Sequence, residues 1–341
     1  MESQTCAIKR IRSRVAVLIA MLALAPILLG AFAQPVQAAA SLFATVSEPN
    51  GVAFRPGNAS GKGILVTTPF SCGSTREVVS LDSSGTQTGV SLLPDQVNCP
   101  AEDYIAVSPA GLPAWPANRV YVVQRNHIYE GTGSPLVFSS TPFVTLPSAC
   151  DVPDAHTGIT FDTVGTFDHQ MIVTCADFAS GTSTVYKVGP FASPTATLIA
   201  TIDDAVEGPD VAPLSFGASG GCIFVASEGS GNIYAVCPGV SVFSNWPGAE
   251  AVRFIPSRHG QPPCEFHPEG GAFFQADFST GRILQWPADD FAELGGNALV
   301  SSESGAGLGL LEPDGSISPF PETSGLDHEG STFINFSVGC Q

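Results

Sequence analysis

Cys222-Ile-Phe-Val-Ala-Ser-Glu-Gly-Ser-Gly-Asn-Ile-Tyr-Ala-Val-Cys237 is the stretch whose reading decides the fold. Two apolar runs, Cys222 to Ser227 and Asn232 to Cys237, flank Glu228-Gly229-Ser230-Gly231. β-Branched and aromatic residues fill the runs, and Gly and Ser fill the gap between them, which is the pattern of a β-hairpin. Folding the stretch about Gly229 and Ser230 sets Cys222 directly opposite Cys237. Cross-strand Cβ atoms at opposed positions lie close enough for a disulfide.

The same build recurs along the chain. Gly63-Ile-Leu-Val-Thr-Thr goes with Glu77-Val-Val-Ser-Leu, Arg119-Val-Tyr-Val-Val with His127-Ile-Tyr, and Gln170-Met-Ile-Val-Thr with Thr184-Val-Tyr-Lys-Val. Gly271-Ala-Phe-Phe-Gln-Ala pairs in the same way with Arg282-Ile-Leu-Gln-Trp. Starts at 63, 119, 170, 221 and 271 give spacings of 56, 51, 51 and 50 residues. Four strands and their turns occupy roughly 40–50 residues, the size of a propeller blade. A short apolar strand precedes each hairpin, at Gly51-Val-Ala-Phe, Tyr104-Ile-Ala-Val, Gly158-Ile-Thr-Phe, Asp210-Val-Ala-Pro and Ala251-Val-Arg-Phe-Ile, as expected of a blade's innermost strand.

A sixth, less regular unit starts at Asn297-Ala-Leu-Val, and Ser331-Thr-Phe-Ile closes the chain. The expectation is an all-β fold, a β-propeller of six blades with about four antiparallel strands each. Leu42-Phe-Ala-Thr-Val then completes the last blade and protects its edge. Five or seven blades stay open on sequence grounds, and a pair of β-sandwiches is the alternative that the regular period disfavours. With 36 Gly and 28 Pro, only Ala288 to Leu294 reads as a helical turn.

Residues 1–38 read as an export signal, leaving 39–341 as a single propeller domain. Lys9, Arg10, Arg12 and Arg14 precede an apolar run from Val15 to Ala33, and small residues offer cleavage after Ala33 or Ala38. A retained membrane anchor is the alternative, because the run is nearly long enough to span a bilayer. Cleavage removes four of the 13 basic residues and one of the 31 acidic ones, moving the net charge from −18 to −21. Such a surface repels phosphate backbones, so nucleic acid is excluded as a partner. No later stretch is apolar enough to span a membrane, so no stable membrane insertion is expected after cleavage.

Cysteine usage fits a secreted protein, extracellular or periplasmic. Cys6 leaves with the signal, and the remaining eight form an even set without close C-x-x-C spacing, which favours disulfides over metal thiolates. Besides Cys222–Cys237, nearest-neighbour pairing gives Cys72–Cys99, Cys150–Cys175 and Cys264–Cys340.

Glu48-Pro-Asn-Gly-Val-Ala-Phe-Arg-Pro-Gly57 resembles the inner-strand motif of the senescence-marker/gluconolactonase family of six-bladed propellers. Glu207-Gly208-Pro209 has the form of that family's E-G-P motif. The resemblance implies that Asn50 and Glu207 are ligands of a divalent cation at the mouth of the central channel. Phe224 to Val236 and Leu310 to Pro321 are similar to the blade pattern of streptogramin-lyase-like and NHL-type propellers.

Inner strands line the axis of a propeller, so residues at their leading ends converge on one channel mouth. Here those residues are Glu48 and Asn50, Glu102 and Asp103, His156, Glu207 and Asp210, Glu250, and His328 with Glu329. Converging carboxylates and an amide suit a hard cation such as Ca²⁺. In an enzyme such an ion polarises a lactone or ester carbonyl. Two functions therefore follow: an extracellular ligand-binding or scaffold propeller taking a small molecule, carbohydrate or protein, or a divalent-cation-dependent hydrolase or lyase. Gly217-Ala-Ser-Gly-Gly221 matches a nucleophile-elbow pattern, but a strand follows it where that motif needs a helix. Trp115, Trp246 and Trp286 are candidates for stacking on sugars, and Asn58 and Asn335 fit the glycan-acceptor pattern.

Overall fold

The computed structural model describes residues 40–57, 59–96, 102–147, 150–152, 155–256, 271–291, 293–322 and 327–334. The export signal, Cys99, Cys264, Cys340, Asn58 and Asn335 lie outside them. Among the described residues, no helix is long and apolar enough to cross a membrane.

Alternating side chains build the fold, as strand β16 (Ile223–Ala226) shows. Ile223 and Val225 enter one hydrophobic cluster, and Phe224 and Ala226 enter another on the opposite face. A sheet that is apolar on both faces must be covered on both, and here each sheet is covered by its two neighbours. Six such clusters alternate with six sheets, and each cluster joins residues of two adjacent sheets.

The chain begins with β1 (Ser41–Thr45) and then forms blade 1 from β2 (Val52–Arg55), β3 (Gly63–Thr68), β4 (Glu77–Leu81) and β5 (Gln87–Leu92). Blade 2 has β6 (Ile105–Val107), β7 (Val120–Gln124) and β8 (His127–Thr132). Its outer strand is split into β9 (Val137–Phe138) and β10 (Val144–Thr145), both paired with β8. Blade 3 is β11 (Ala155–Phe161), β12 (Met171–Asp177), β13 (Thr182–Gly189) and β14 (Thr195–Ile202). Blade 4 runs from β15 (Glu207–Val211) through β16 to β17 (Asn232–Val236) and β18 (Val240–Asn245). The hairpin register is the one expected: Ile223 faces Val236, and Cys222 and Cys237 are bonded. Cys150 and Cys175 are bonded as well, and Cys72 is in a disulfide.

Blades 5 and 6 depart from the sequence reading. Inner strand β19 (Ala249–Phe254) does not pair with the hairpin that follows it, β20 (Gly271–Asp277) and β21 (Arg282–Pro287). It pairs instead with β22 (Ala298–Ser302), followed by β23 (Gly309–Leu311) and β24 (Ile317–Pro319). The β20–β21 hairpin belongs to blade 6, between inner strand β25 (His328–Phe333) and outer strand β1. The N-terminal strand thus closes the last blade as expected, while the fifth hairpin lies one blade further on. Adjacency along the chain favoured the wrong partner here, because the correct pairing of β19 with β22 spans more than forty residues of intervening chain. The inner strand of blade 4 also begins earlier than expected, at Glu207 rather than Asp210. The helical turn is present as a short 3-10 segment, Ala288–Phe291.

Inner strands contact one another in a closed cycle, β2, β6, β11, β15, β19, β25 and back to β2. The approach is so close that backbones touch. A Cβ at Gly330 would lie 2.7 Å from the Asn50 carbonyl oxygen and 2.8 Å from Gly51 Cα. Gly208, at φ +47°, would meet Ala251 at 2.2 Å in the same way. Neither partner is a flexible side-chain tip, so a methyl group there must push blades apart. Gly330→Ala is expected to destabilise the protein by about 1–3 kcal/mol, the usual cost of overpacking, measured as a lowered denaturation midpoint. An unchanged midpoint would show that the ring has slack.

Candidate metal centre

The C-terminal halves of all six inner strands line one cavity, so all six inner strands start at the opposite end of the channel. Each blade delivers one polar residue at that end: Asn50, Glu102, His156, Glu207, Glu250 and Glu329, for blades 1 to 6 in order. All six are buried. Their ligand atoms form overlapping groups. Glu102, His156 and Glu207 make one, Glu102, Glu250 and Glu329 a second, and Glu207, Glu228 and Glu250 a third, with the atoms of each group within 4.8 Å of one another.

Among the described residues, one positive group answers this charge. His156 Nδ1 lies 3.1 Å from Glu207 Oε1 and 3.4 Å from Glu102 Oε2. Burial opposes a charge on the imidazole, but Glu207 and Glu102 outweigh it and hold the ring protonated well above its ordinary range. In return Glu102 falls below the usual carboxylate range, since His156 overcomes its burial. At Glu207 the same imidazole does not offset burial, and Glu250 and Glu329 have no cation beside them among the described residues. Burial, joined by repulsion from Glu102, pushes Glu207 and Glu329 far up, and burial with repulsion from Glu207 and Glu102 does the same to Glu250.

Tyr104 crosses this end of the channel. It comes from blade 2, and its hydroxyl donates to Glu250 Oε1 of blade 5, directly across the ring, at 2.5 Å. Burial and the surrounding glutamates, Glu250 first, keep the phenol protonated. Polar atoms nonetheless remain unsatisfied: Asn50 Oδ1, Glu102 Oε2, Glu207 Oε2 and Glu329 Oε2 are buried without a hydrogen-bond partner. Buried polar atoms of native proteins are almost always paired, so such a group at one point marks a place for something else.

The remaining candidates lie elsewhere. Asp103, one residue beyond Glu102, is turned between blades 1 and 2, where Arg76 Nη2 binds it at 2.5 Å and Gln124 Nε2 at 3.0 Å. Asp210 is three residues beyond Glu207, about 10 Å along an extended strand, and accepts from the backbone N–H groups of Val211 and Phe254. It lines a cavity of about 330 Å³ at the opposite end of the channel, with Arg253 and the far ends of the other inner strands. Glu48 accepts from the Ser71 N–H on the surface. His328 faces away from the axis, with Nε2 3.0 Å from Glu322 Oε2. Ser219 ends a 3-10 turn with a strand after it, and Trp115, Trp246 and Trp286 are all buried, so none presents a face to a sugar.

Two acids escaped the sequence reading. Glu228 and Glu303 sit just past the ends of β16 and β22, beside the starts of their inner strands. Burial first, then neighbouring acids, pushes Glu303 up to about 8. The signal was a repeated Ser-Glu after the second strand, Ser227-Glu228 and Ser302-Glu303.

No family model matches the chain, and no curated protein matches it. Solved structures do resemble it. Streptogramin B lyase aligns over 82% of this chain and 71% of that one at 14% identity, with a TM-score of 0.43. A protein from Lactobacillus plantarum aligns over 86% and 90% at 14% identity, TM-score 0.47. The PQQ-bound aldose sugar dehydrogenase of Streptomyces coelicolor aligns over 87% and 86% at 16% identity, TM-score 0.40. Likeness at this level concerns architecture alone. The sheet order defines the class by itself: the chain is a six-bladed β-propeller.

The raised carboxyls set a pH dependence for the metal-free protein. Folding binds the protons of Glu207, Glu250, Glu329 and Glu303 more tightly than the unfolded chain does. Their stabilisation is complete below about pH 4.3, the ordinary glutamate value, and is lost as pH rises through the folded values, about 8 for Glu303. His156 shifts in the same sense, and the lowered Glu102 acts only in the acid range. The chelated protein is therefore expected to lose several degrees of melting temperature between pH 5 and pH 9. Melting curves that stay level or rise across this interval would refute the charge arrangement.

Proposed function

We propose that the protein is a divalent-cation-dependent hydrolase or lyase working outside the cytoplasm, with its site at the acidic channel mouth. The observation that carries this reading is the convergence of buried carboxylates from blades 2, 4, 5 and 6 on one small volume, with oxygens left unpartnered. Calcium takes six to eight oxygens at about 2.3–2.6 Å, so ligands on opposite sides of it lie about 5 Å apart. The 4.8 Å groupings suit that span. Glu102, Glu207, Glu250, Glu329 and the amide of Asn50 are the residues that would hold the ion. When bound, it supplies Lewis acidity toward a lactone or ester carbonyl.

The protein's own groups have separable tasks. His156 contributes a fixed positive charge rather than a base, because two carboxylates hold its proton. Glu303, half-buried at the rim, exchanges a proton at its carboxyl near neutral pH. Tyr104 fixes Glu250 by its hydrogen bond and bars the channel beneath the site. Disulfides support an oxidising compartment, and the first 38 residues support export to it. A second reading, a ligand-binding propeller without catalysis, is favoured by the same clamp on His156, which removes the usual neutral imidazole base.

Calcium is expected to raise the melting temperature of the chelated protein. At a hundredfold excess over Kd, the gain is about 2.7 kcal/mol. Glu207→Gln and Glu250→Gln should each remove most of it. Hydrolysis or elimination on a panel of lactones and esters should stop with chelator and return with calcium. Calcium binding without turnover on any substrate would favour the ligand-binding reading. No binding of calcium, magnesium or manganese would defeat the site itself.

A further inference from the structure

The geometry points to a second ligand site, at the end of the channel away from the acidic ring: a cavity that takes a free α-amino acid with an apolar or aromatic side chain. The cavity measures about 330 Å³, near the lower bound for ligand pockets, so its guest is one small molecule. All six inner strands contribute to its wall through their C-terminal halves. Phe54, Phe161, Phe254 and Phe333, from blades 1, 3, 5 and 6, supply apolar surface. Two opposite charges interrupt it, Asp210 from blade 4 and Arg253 from blade 5. Neither belongs to the acidic ring, so this site is independent of any metal held there.

Both charges are held in place by backbone rather than by each other. Arg253 Nε donates to the Ser331 carbonyl at 2.9 Å, and Nη1 to the carbonyls of Pro209 at 2.8 Å and Val252 at 2.9 Å. These bonds span blades 4, 5 and 6 and leave Nη2 without a partner. Asp210 Oδ1 accepts from the Val211 N–H and Oδ2 from the Phe254 N–H, each at 2.9 Å. A carboxylate oxygen has room for a second donor. The two side chains make no direct ion pair, yet burial raises the Asp210 carboxyl and Arg253 opposes that rise, so they sit within electrostatic reach of each other. Asn118 of blade 2 lines the same cavity, and its Oδ1 is buried without a hydrogen-bond partner. The wall thus offers one cationic donor and two acceptors.

These groups select a zwitterion. A carboxylate alone pairs with Arg253 and is repelled by Asp210, and an ammonium alone meets the reverse. An α-amino acid carries both. Its carboxylate accepts from Arg253 Nη2 while its ammonium donates to Asp210, and its side chain lies on the phenylalanine surface.

The test is calorimetric titration of the full chain with four probes. They are L-phenylalanine, hydrocinnamate, which lacks the ammonium, phenethylammonium, which lacks the carboxylate, and glycine, which lacks the ring. Phenylalanine is expected to bind at least about tenfold more tightly than each of the others, since each lacks a charge-assisted hydrogen bond or a buried ring. Asp210→Asn should bring the phenylalanine-to-hydrocinnamate ratio close to one, and Arg253→Gln should do the same for phenethylammonium. Each ratio is taken on a single protein, so partial loss of fold does not mimic the effect, and either variant serves if the other does not fold. Glu207→Gln is expected to leave the ratios unchanged, because that carboxyl lies in the acidic ring. No binding of phenylalanine, a probe that binds as tightly as phenylalanine, or ratios unmoved by the cavity substitutions would overturn the proposal. A preference lost in Glu207→Gln would place the amino acid at the acidic mouth and overturn it as well.

Discussion

Backbone contact at the axis is the constraint on which the rest of this structure depends. Six two-faced sheets can cover one another only by closing into a ring, and the ring closes only if inner strands approach to glycine distance, as Gly330 does to Asn50. Once that approach is made, side chains at the strand starts have nowhere to go but into a shared space. Asn50, Glu102, His156, Glu207, Glu250 and Glu329 lie far apart in the chain and become neighbours for this reason alone. The site is thus a consequence of closure, and anything that loosens the ring disperses it.

Much of this was legible in the sequence, and the boundary of legibility is physical. The Cys222–Cys237 hairpin could be registered to the residue because its partners are joined by a short turn, and its symmetry fixes the pairing. The closing role of Leu42 to Val46 was legible from the need to protect an edge. The exchange of hairpins between blades 5 and 6 was not. Strands β20 and β25 pair across some fifty residues, and two hairpins share one repeat length there, so the period alone could not say which inner strand each would join.

Within the site, the sequence located strand starts to within a few residues, and that tolerance decided each case. Glu207 and Asp210 are three positions apart on one strand, and that distance carries one to the acidic mouth and the other to the opposite cavity. Glu102 and Asp103 are adjacent, yet one faces the axis while the other meets Arg76. Direction at a strand end depends on how the neighbouring blade packs, which a single chain's pattern does not encode. Glu228 and Glu303 lie past the ends of second strands rather than at the starts of inner ones, and only antiparallel pairing brings those ends to the same place.

A channel sealed only for stability has a cheaper solution than this one. Apolar side chains would fill the axis without desolvating charge, and Tyr104 shows that an aromatic ring fits there. Instead four glutamates are packed together with one histidine between them, at a cost of several kcal/mol for each buried charge left without a partner. Protons meet that cost in acid, because burial raises the carboxyls of Glu207, Glu250 and Glu329, which makes protonation of the site and stability of the fold the same equilibrium. The disulfides of blade 4 and of the blade 2–3 region then have a clear task. They cross-link the frame that holds these carboxyls together and constrain the unfolded chain.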